Sequence, residues 1–331
     1  MGNRLFVCSS PHLRDTGSTR RIMLDVILAL LPAVIAGIWF FGIRAALVIL
    51  VTTVSAVFTE YLMRRGLKRE QTISDLSAVV TGLLLALNLP PSIPVWIAII
   101  GAVIAIALIK QLFGGLGQNF MNPALGARVI LVVAWARSMT AWTAPITNLI
   151  SGAADAASSA TPVDAIATST PLSVLKESGE IIFSYYDLFW GSIAGCIGET
   201  SAFAILLGFA YLLLRRVITW RIPLFFTGTV ALLTWVFGPN GMFTGDALYH
   251  VLSGGLLLGA IFMATDYATS PITKKGAVIF AIGCGVLTAL FRLFGNMPEG
   301  VSFAIILMNI VTPLIDRYTV PVSFGGERRV E

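Results

Sequence analysis

Ten apolar runs, most of them long enough as helices to match the thickness of a bilayer, set the terms on which this chain can fold. They lie at about 22 to 41, 44 to 63, 77 to 89, 94 to 112 and 124 to 141, then at about 188 to 214, 218 to 237, 247 to 264, 277 to 294 and 300 to 316. A helix crosses the hydrocarbon in about 20 apolar residues and satisfies its own backbone hydrogen bonds on the way; irregular backbone facing lipid does not. The chain therefore reads as an all-α integral membrane protein with about ten transmembrane helices. Composition decides the same point independently, because only 12% of the 331 residues are charged, where a soluble protein carries about a quarter. The third run is short and ends at Asn88-Leu89-Pro90-Pro91, which predicts a broken helix whose freed backbone groups lie inside the protein.

Basic residues give the direction. With the N-terminus on the cytoplasmic side, all of the 22 Lys and Arg residues except Arg44, Arg137, Lys176 and Arg292 fall in or beside inside loops, Lys110 and Arg128 being counted beside the fourth connection. Removing one helix would scramble the later loops, so the bias supports both the count and the orientation. The same clustering assigns the net charge of +5 to topology rather than to a nucleic-acid partner. The first 21 residues are polar and contain Arg4, Arg14, Arg20 and Arg21, so no cleavable signal is expected.

A repeat is written into the apolar runs. Gly82-Leu83-Leu84-Leu85 opens a series of short helix, Pro-containing turn, long helix and Gly-rich link ending at Gly117 to Pro123. Gly255-Leu256-Leu257-Leu258 opens the same series, with Ser270-Pro271 in the turn and Gly295 to Gly300 in the link. Five helices per half is an odd number, so the second half enters from the opposite side and the halves form two inverted five-helix repeats. The expected organisation is a cytoplasmic arm (1–21), a first repeat (22–141), an extracytoplasmic loop (142–187), a second repeat (188–316) and a cytoplasmic tail (317–331).

Polar residues narrow the chemistry. Cys8, Cys196 and Cys284 are scattered, so neither a disulfide framework nor an iron–sulfur cluster held by this chain alone is expected; His12 and His250 each lack a second histidine nearby. A dinucleotide glycine fingerprint and a Walker loop are both missing. One polar stretch, Ser151 to Ser178, holds two near copies of one pattern: Asp155 lies six residues before Thr161-Pro162, and Asp164 six before Thr170-Pro171-Leu172. Its small side chains and prolines predict an exposed, extended loop whose threonine hydroxyls another molecule can reach.

On the cytoplasmic side, Gly114 to Ala124 combines glycines, Asn119, Asn122 and Pro123, a set suited to close backbone approach and to a helix start that favours anions or carbonyl oxygens. Asp266, in Thr265 to Gly276, sits at the edge of the apolar zone, where a carboxylate marks a cap, an ion route or a ligand contact. Asp25 and Glu199 are further embedded acids, for which helix-end snorkelling or an Arg partner is expected ahead of an ion path.

The segment DAIATSTPL, Asp164 to Leu172, resembles the flavin-attachment signature of the NqrB/RnfD family of membrane subunits, although Ala167, Thr168 and Ser169 replace its usual Ser-Gly-Ala core. The resemblance implies FMN esterified through its phosphate to Thr170, with Thr161 in the upstream copy as the alternative. Gly117 to Ala124 resembles the family's Gly-x-Asn-x-Phe-Asn-Pro-Ala motif with Met121 in place of Phe, which implies a non-covalent riboflavin bordered by Gly117, Asn119, Asn122 and Asp266. Further matches at Ser9 to His12, Met23 to Asp25, Gly195 to Ser201, Pro298 to Gly300 and Asn309 to Asp316 extend the likeness over nearly the whole chain. By resemblance, the chain is expected to be an electron-transfer subunit of an Rnf-type ion-translocating oxidoreductase in a bacterial or archaeal cytoplasmic membrane. Its partners would be the other Rnf subunits, especially an RnfG-type flavoprotein, and membrane lipid; this chain alone would hold no complete active site. The competing class is a solute channel of the urea- or ammonium-channel plan, which shares the repeat but gives no reason for DAIATSTPL.

Overall fold

The computed structural model describes residues 18–146, 169–179, 181–238, 241–295 and 299–321. It begins with α1, Thr19–Gly66, a run of 48 residues. At 1.5 Å per residue that is about 72 Å, more than twice the hydrocarbon thickness of about 30 Å. Gly42 resolves the mismatch: its backbone (φ 69°, ψ −157°) leaves helical geometry and divides the run into the two spans that the sequence predicts. The halves return to one side, because Met23 and Val26 share a cleft with Lys110, whose ammonium lies 3.0 Å from Glu60 near the other end of α1.

α2, Ser77–Leu87, is the expected broken helix. Asp75 Oδ1 accepts from Ser77 N at 2.7 Å at its start, and irregular backbone follows it to Pro94. The carbonyls left over at its end are satisfied from a distant segment: Gly198 N donates to Leu87 O at 2.8 Å and Ile197 N to Leu89 O at 3.1 Å. Gly198 makes that approach feasible, since a Cβ on it would lie 2.5 Å from Leu87 Cβ.

The chain continues through α3, Val95–Val103, which runs on as a π-helix over Ile104–Gln111, then α4, Pro123–Ala134, and the single turn α5, Ala136–Met139. Next come α6, Pro171–Ser178; α7, Tyr185–Trp190; α8, Ala202–Leu214; and α9, Arg221–Val236. An antiparallel ribbon of β1, Phe237–Gly238, and β2, Gly241–Met242, interrupts the all-helical pattern. Then follow α10, Ala247–Leu252; α11, Leu256–Leu258, continued as a π-helix over Gly259–Met263; α12, Lys274–Leu293; and α13, Val301–Thr319. Among the described residues α1, α12 and α13 are long and apolar enough to cross a membrane, and shorter apolar helices pack with them. Exposed Ile35, Trp39, Ile43, Leu50 and Phe58 on α1 form the kind of continuous apolar surface that suits lipid rather than water.

Several expectations need correction. The run at 188 to 214 is not one helix: irregular backbone over 191–201, with Gly191 at φ 111°, separates α7 from α8. The run at 247 to 264 breaks at Ser253 to Gly255, and that at 124 to 141 breaks at Trp135. Gly82 does not open a helix but lies inside α2, where the absence of a Cβ lets Thr53 approach. The exposed, extended loop also fails where it is described, because Thr170 is 3% exposed and caps α6. Pro171 at the first helical position and the burial of Leu172 account for the helix. Asp155, Thr161 and Asp164 lie outside the described residues.

Candidate functional site

Two clefts contain the described residues that the sequence singles out. The first is built at the start of α4, where Asn122 is the N-cap. Its Oδ1 accepts from the amides of Ala124 (3.0 Å) and Leu125 (3.3 Å), and its Nδ2 donates to Met263 O at 3.2 Å, tying the cap to the end of α11. Asn119 is buried nearby, its Oδ1 without a partner among the described residues. In the turn after α11, Asp266 accepts from Ala268 N at 3.5 Å and from Thr269 Oγ1 at 3.3 Å. Burial pushes this carboxyl above its ordinary range, against those two hydrogen bonds and the Lys110 charge.

Asn119, Asn122 and Asp266 line one recess together with Ser77, Lys110 and Phe262. That recess shares Leu116, Asp266, Tyr267 and Ala268 with a wider cavity of about 620 Å³, into which Gly117 opens. Gly117 has φ +86° and no atom within 4 Å of where a Cβ would stand. All four residues assigned to the second flavin thus lie along one continuous cleft. Its inner cation is Lys110, which donates to Glu60 Oε2 at 3.0 Å and to Ser77 Oγ at 2.6 Å, while Gln111 Nε2 donates to Glu60 Oε1 at 2.8 Å. Lys110 and Phe262 both belong to π-helical stretches, which recur where a helix is opened for function.

The second cleft surrounds Thr170. Its Oγ1 accepts from Ser173 N at 3.3 Å and lies 3.0 Å from Ser173 Oγ; that hydroxyl in turn donates to Thr170 O at 2.9 Å. Thr170 and Ser173 line a cavity of about 300 Å³ with Trp142, Arg128, Glu299 and Ser302. Arg128 is not beside a loop, as its place in the charge count required, but inside α4 and 6% exposed. Its Nη1 donates to Asn88 Oδ1 (2.9 Å), Ser302 Oγ (3.0 Å) and Glu199 Oε1 (3.1 Å), and its Nη2 to Glu299 Oε2 at 3.1 Å. One guanidinium therefore joins the end of the broken helix α2, the irregular 191–201 segment and the start of α13. Cys196 Sγ and carboxylate oxygens of Glu199 and Glu299 lie within 4.8 Å of one another, a spacing open to a metal ion. Arg128 already bridges both acids at 3.1 Å, so the arrangement is an ion-pair network. Asp25 also takes an Arg partner: Arg215 Nε lies 3.2 Å from its Oδ1, to which Tyr211 Oη donates at 2.9 Å.

The profile of one family matches residues 6–325. The chain belongs to the NQR2, RnfD, RnfE family. Its relatives include the D subunit of the proton-translocating ferredoxin:NAD(+) oxidoreductase complex of Clostridium ljungdahlii, 46% identical over 336 residues and covering 98% of each chain. The D subunit of the Na(+)-translocating ferredoxin:NAD(+) oxidoreductase complex of Acetobacterium woodii is 46% identical over 326 residues, covering 97% of this chain and 95% of that one. The D subunit of the ion-translocating oxidoreductase complex of Stutzerimonas stutzeri is 43% identical over 336 residues, 94% of each.

Within this NQR2, RnfD, RnfE member, sequence patterns lead to Thr170, Asn119, Asn122 and Asp266 but pass over Lys110 and Arg128. Each is a cation inside or at the edge of an apolar run, and an ionisable group there is a candidate for function on cost alone. That signal is present in the sequence, and counting both residues toward topology conceals it.

Proposed function

We propose that this chain is the flavin-carrying electron-transfer subunit of a membrane complex that couples electron flow between ferredoxin and NAD to Na⁺ or H⁺ translocation. Near full-length similarity to relatives named as the D subunits of such complexes supports its place in the complex. The observation that carries the flavin is the Thr170 hydroxyl, held at a helix N-cap on a cavity that it shares with Arg128 and Trp142. The fit is chemical: Thr170 Oγ1 would carry the phosphate of FMN as an ester, and Trp142 and Phe303 supply apolar wall. A bound flavin supplies one- and two-electron transfer. Thr161 is the alternative point of attachment.

A non-covalent riboflavin would lie along Gly117, Asn119, Asn122 and Asp266. Asn119 Oδ1, an acceptor without a donor among the described residues, suits an N–H group, and the cavity of about 620 Å³ is large enough for a ring system. Around these sites we place ten spans in two inverted five-helix repeats, both termini in the cytoplasm and the 142–187 loop outside, where an RnfG-type flavoprotein can exchange electrons with Thr170-bound FMN.

Denaturing-gel fluorescence of the complex, produced in a host able to attach flavin covalently to such subunits, tests the attachment. Wild type should give a fluorescent band at this subunit and Thr170→Ala a dark one. Fluorescence that survives Thr170→Ala and vanishes in Thr161→Ala moves the site upstream; a dark wild-type band in the assembled complex overturns the reading.

A further inference from the structure

The helix that begins at Thr170 has a second face. Thr170 and Ser173 look onto the cavity with Arg128, whereas Leu172, Leu175, Lys176 and Gly179 line a different cavity of about 530 Å³. Its other walls are Val236, Phe237 and Met242 from the ribbon region and Leu293 and Phe294 from the end of α12. At its polar end are His250 and Arg292.

Arg292 is the unusual element. It is 4% exposed and makes no ion pair among the described residues; the two nearby acids, Glu199 and Glu299, are paired with Arg128. Two backbone carbonyls hold it, those of His250 and Ser253, the latter at 3.0 Å. Its Nε is left without a partner, as is His250 Nδ1, on a side chain 8% exposed. Glu199 and Glu299 act on it through space but make no direct contact with it, and a guanidinium taken out of water without a paired partner costs several kcal/mol. Carbonyl dipoles at the end of a six-residue helix offset only part of that cost. Lys176, at the exposed rim, donates to Gly295 O and adds a second positive charge. Among the described residues no carboxylate lines the cavity.

We propose that this cavity binds a phosphate-bearing anion, with Arg292 as the main contact and His250 and Lys176 in support. The rim decides the source of the phosphate. Met242 and Phe294 are 73% and 71% exposed, and a free ion has no use for such walls, whereas the acyl chains of an anionic phospholipid cover them. The site is independent of the flavin, since Thr170 lies on the other face of α6.

The test uses the purified complex, stripped of lipid in detergent and titrated with phosphatidylglycerol, phosphatidylcholine or inorganic phosphate while its melting temperature is followed. Phosphatidylglycerol should stabilise the wild type at concentrations where phosphatidylcholine does not. Its apparent affinity should fall roughly tenfold or more in Arg292→Gln, as expected for loss of a charge-assisted contact. Lys176→Gln, an exposed change that leaves the fold intact, should weaken the response several-fold and keeps the test valid if Arg292→Gln does not assemble. A response to inorganic phosphate that is equally sensitive to both variants assigns the same site to the free ion. Equal affinity in wild type and both cation variants, or no response to any of the anions, overturns the proposal.

Discussion

Arg128 shows how much one residue can hold together. Glu199 and Glu299 sit in the interior in direct contact with this guanidinium, so its removal leaves two buried acids without an ion-pair partner. Arg128→Ala should destabilise the protein by about 3–5 kcal/mol, read as a loss of melting temperature in detergent. Arg128→Lys should recover only part, because an ammonium cannot reach Asn88, Ser302 and both carboxylates at once; an Ala variant as stable as wild type would show the network to be idle. Asp266 gives a prediction in pH. Its folded-state pKa is raised by burial, so the folded protein holds a proton that the unfolded chain releases. The resulting stability is full below the ordinary carboxylate value of 3.8 and is lost as pH rises through the raised one. Asp266→Asn should flatten that decline, checked by melting curves from acidic to neutral pH; an unchanged slope would contradict it. The cations of both clefts are visible in the sequence as charges in apolar runs. Their partners are not, since Glu60 lies 50 residues from Lys110 and Glu199 71 from Arg128, and no local pattern links such positions.

Among the elements, continuous helices are the legible part. The turn at Gly42 and the stop at Asn88 are marked by the lengths of their apolar runs and by Pro90-Pro91. The breaks at 191–201 and 253–255 lie inside longer apolar runs, where Gly191, Gly195, Gly198 and Ser253-Gly254-Gly255 are their local signal, while the neighbours that hold them are distant in the chain. Gly198 is the clearest case: its amide serves a carbonyl of α2, and Leu87 fills the space that a side chain would need. Gly198→Ala should therefore cost about 1–3 kcal/mol through overpacking, measured as a fall in melting temperature, with faster amide exchange at the end of α2. If exchange there is unaltered, the two irregular segments are not coupled. Thr170 is singled out by its motif but misjudged in exposure, since the pattern of small residues before it conceals the Thr-Pro start of α6.

For the molecule as a whole, an apolar outer wall surrounds a few charged junctions, and each of the two clefts gathers residues far apart in sequence. The proposed orientation predicts that, with native cysteines replaced, a cysteine at Lys68 is labelled by an impermeant maleimide only in inside-out vesicles, and one at Glu177 only in right-side-out vesicles. Labelling of both from one side would contradict it. The most direct measurement of the central claim is peptide mass spectrometry of the subunit from the fully matured complex. The peptide containing Thr170 should carry the mass of a phosphate-linked FMN, with fragmentation placing it on that hydroxyl; unmodified peptides for both Thr170 and Thr161 would contradict the attachment.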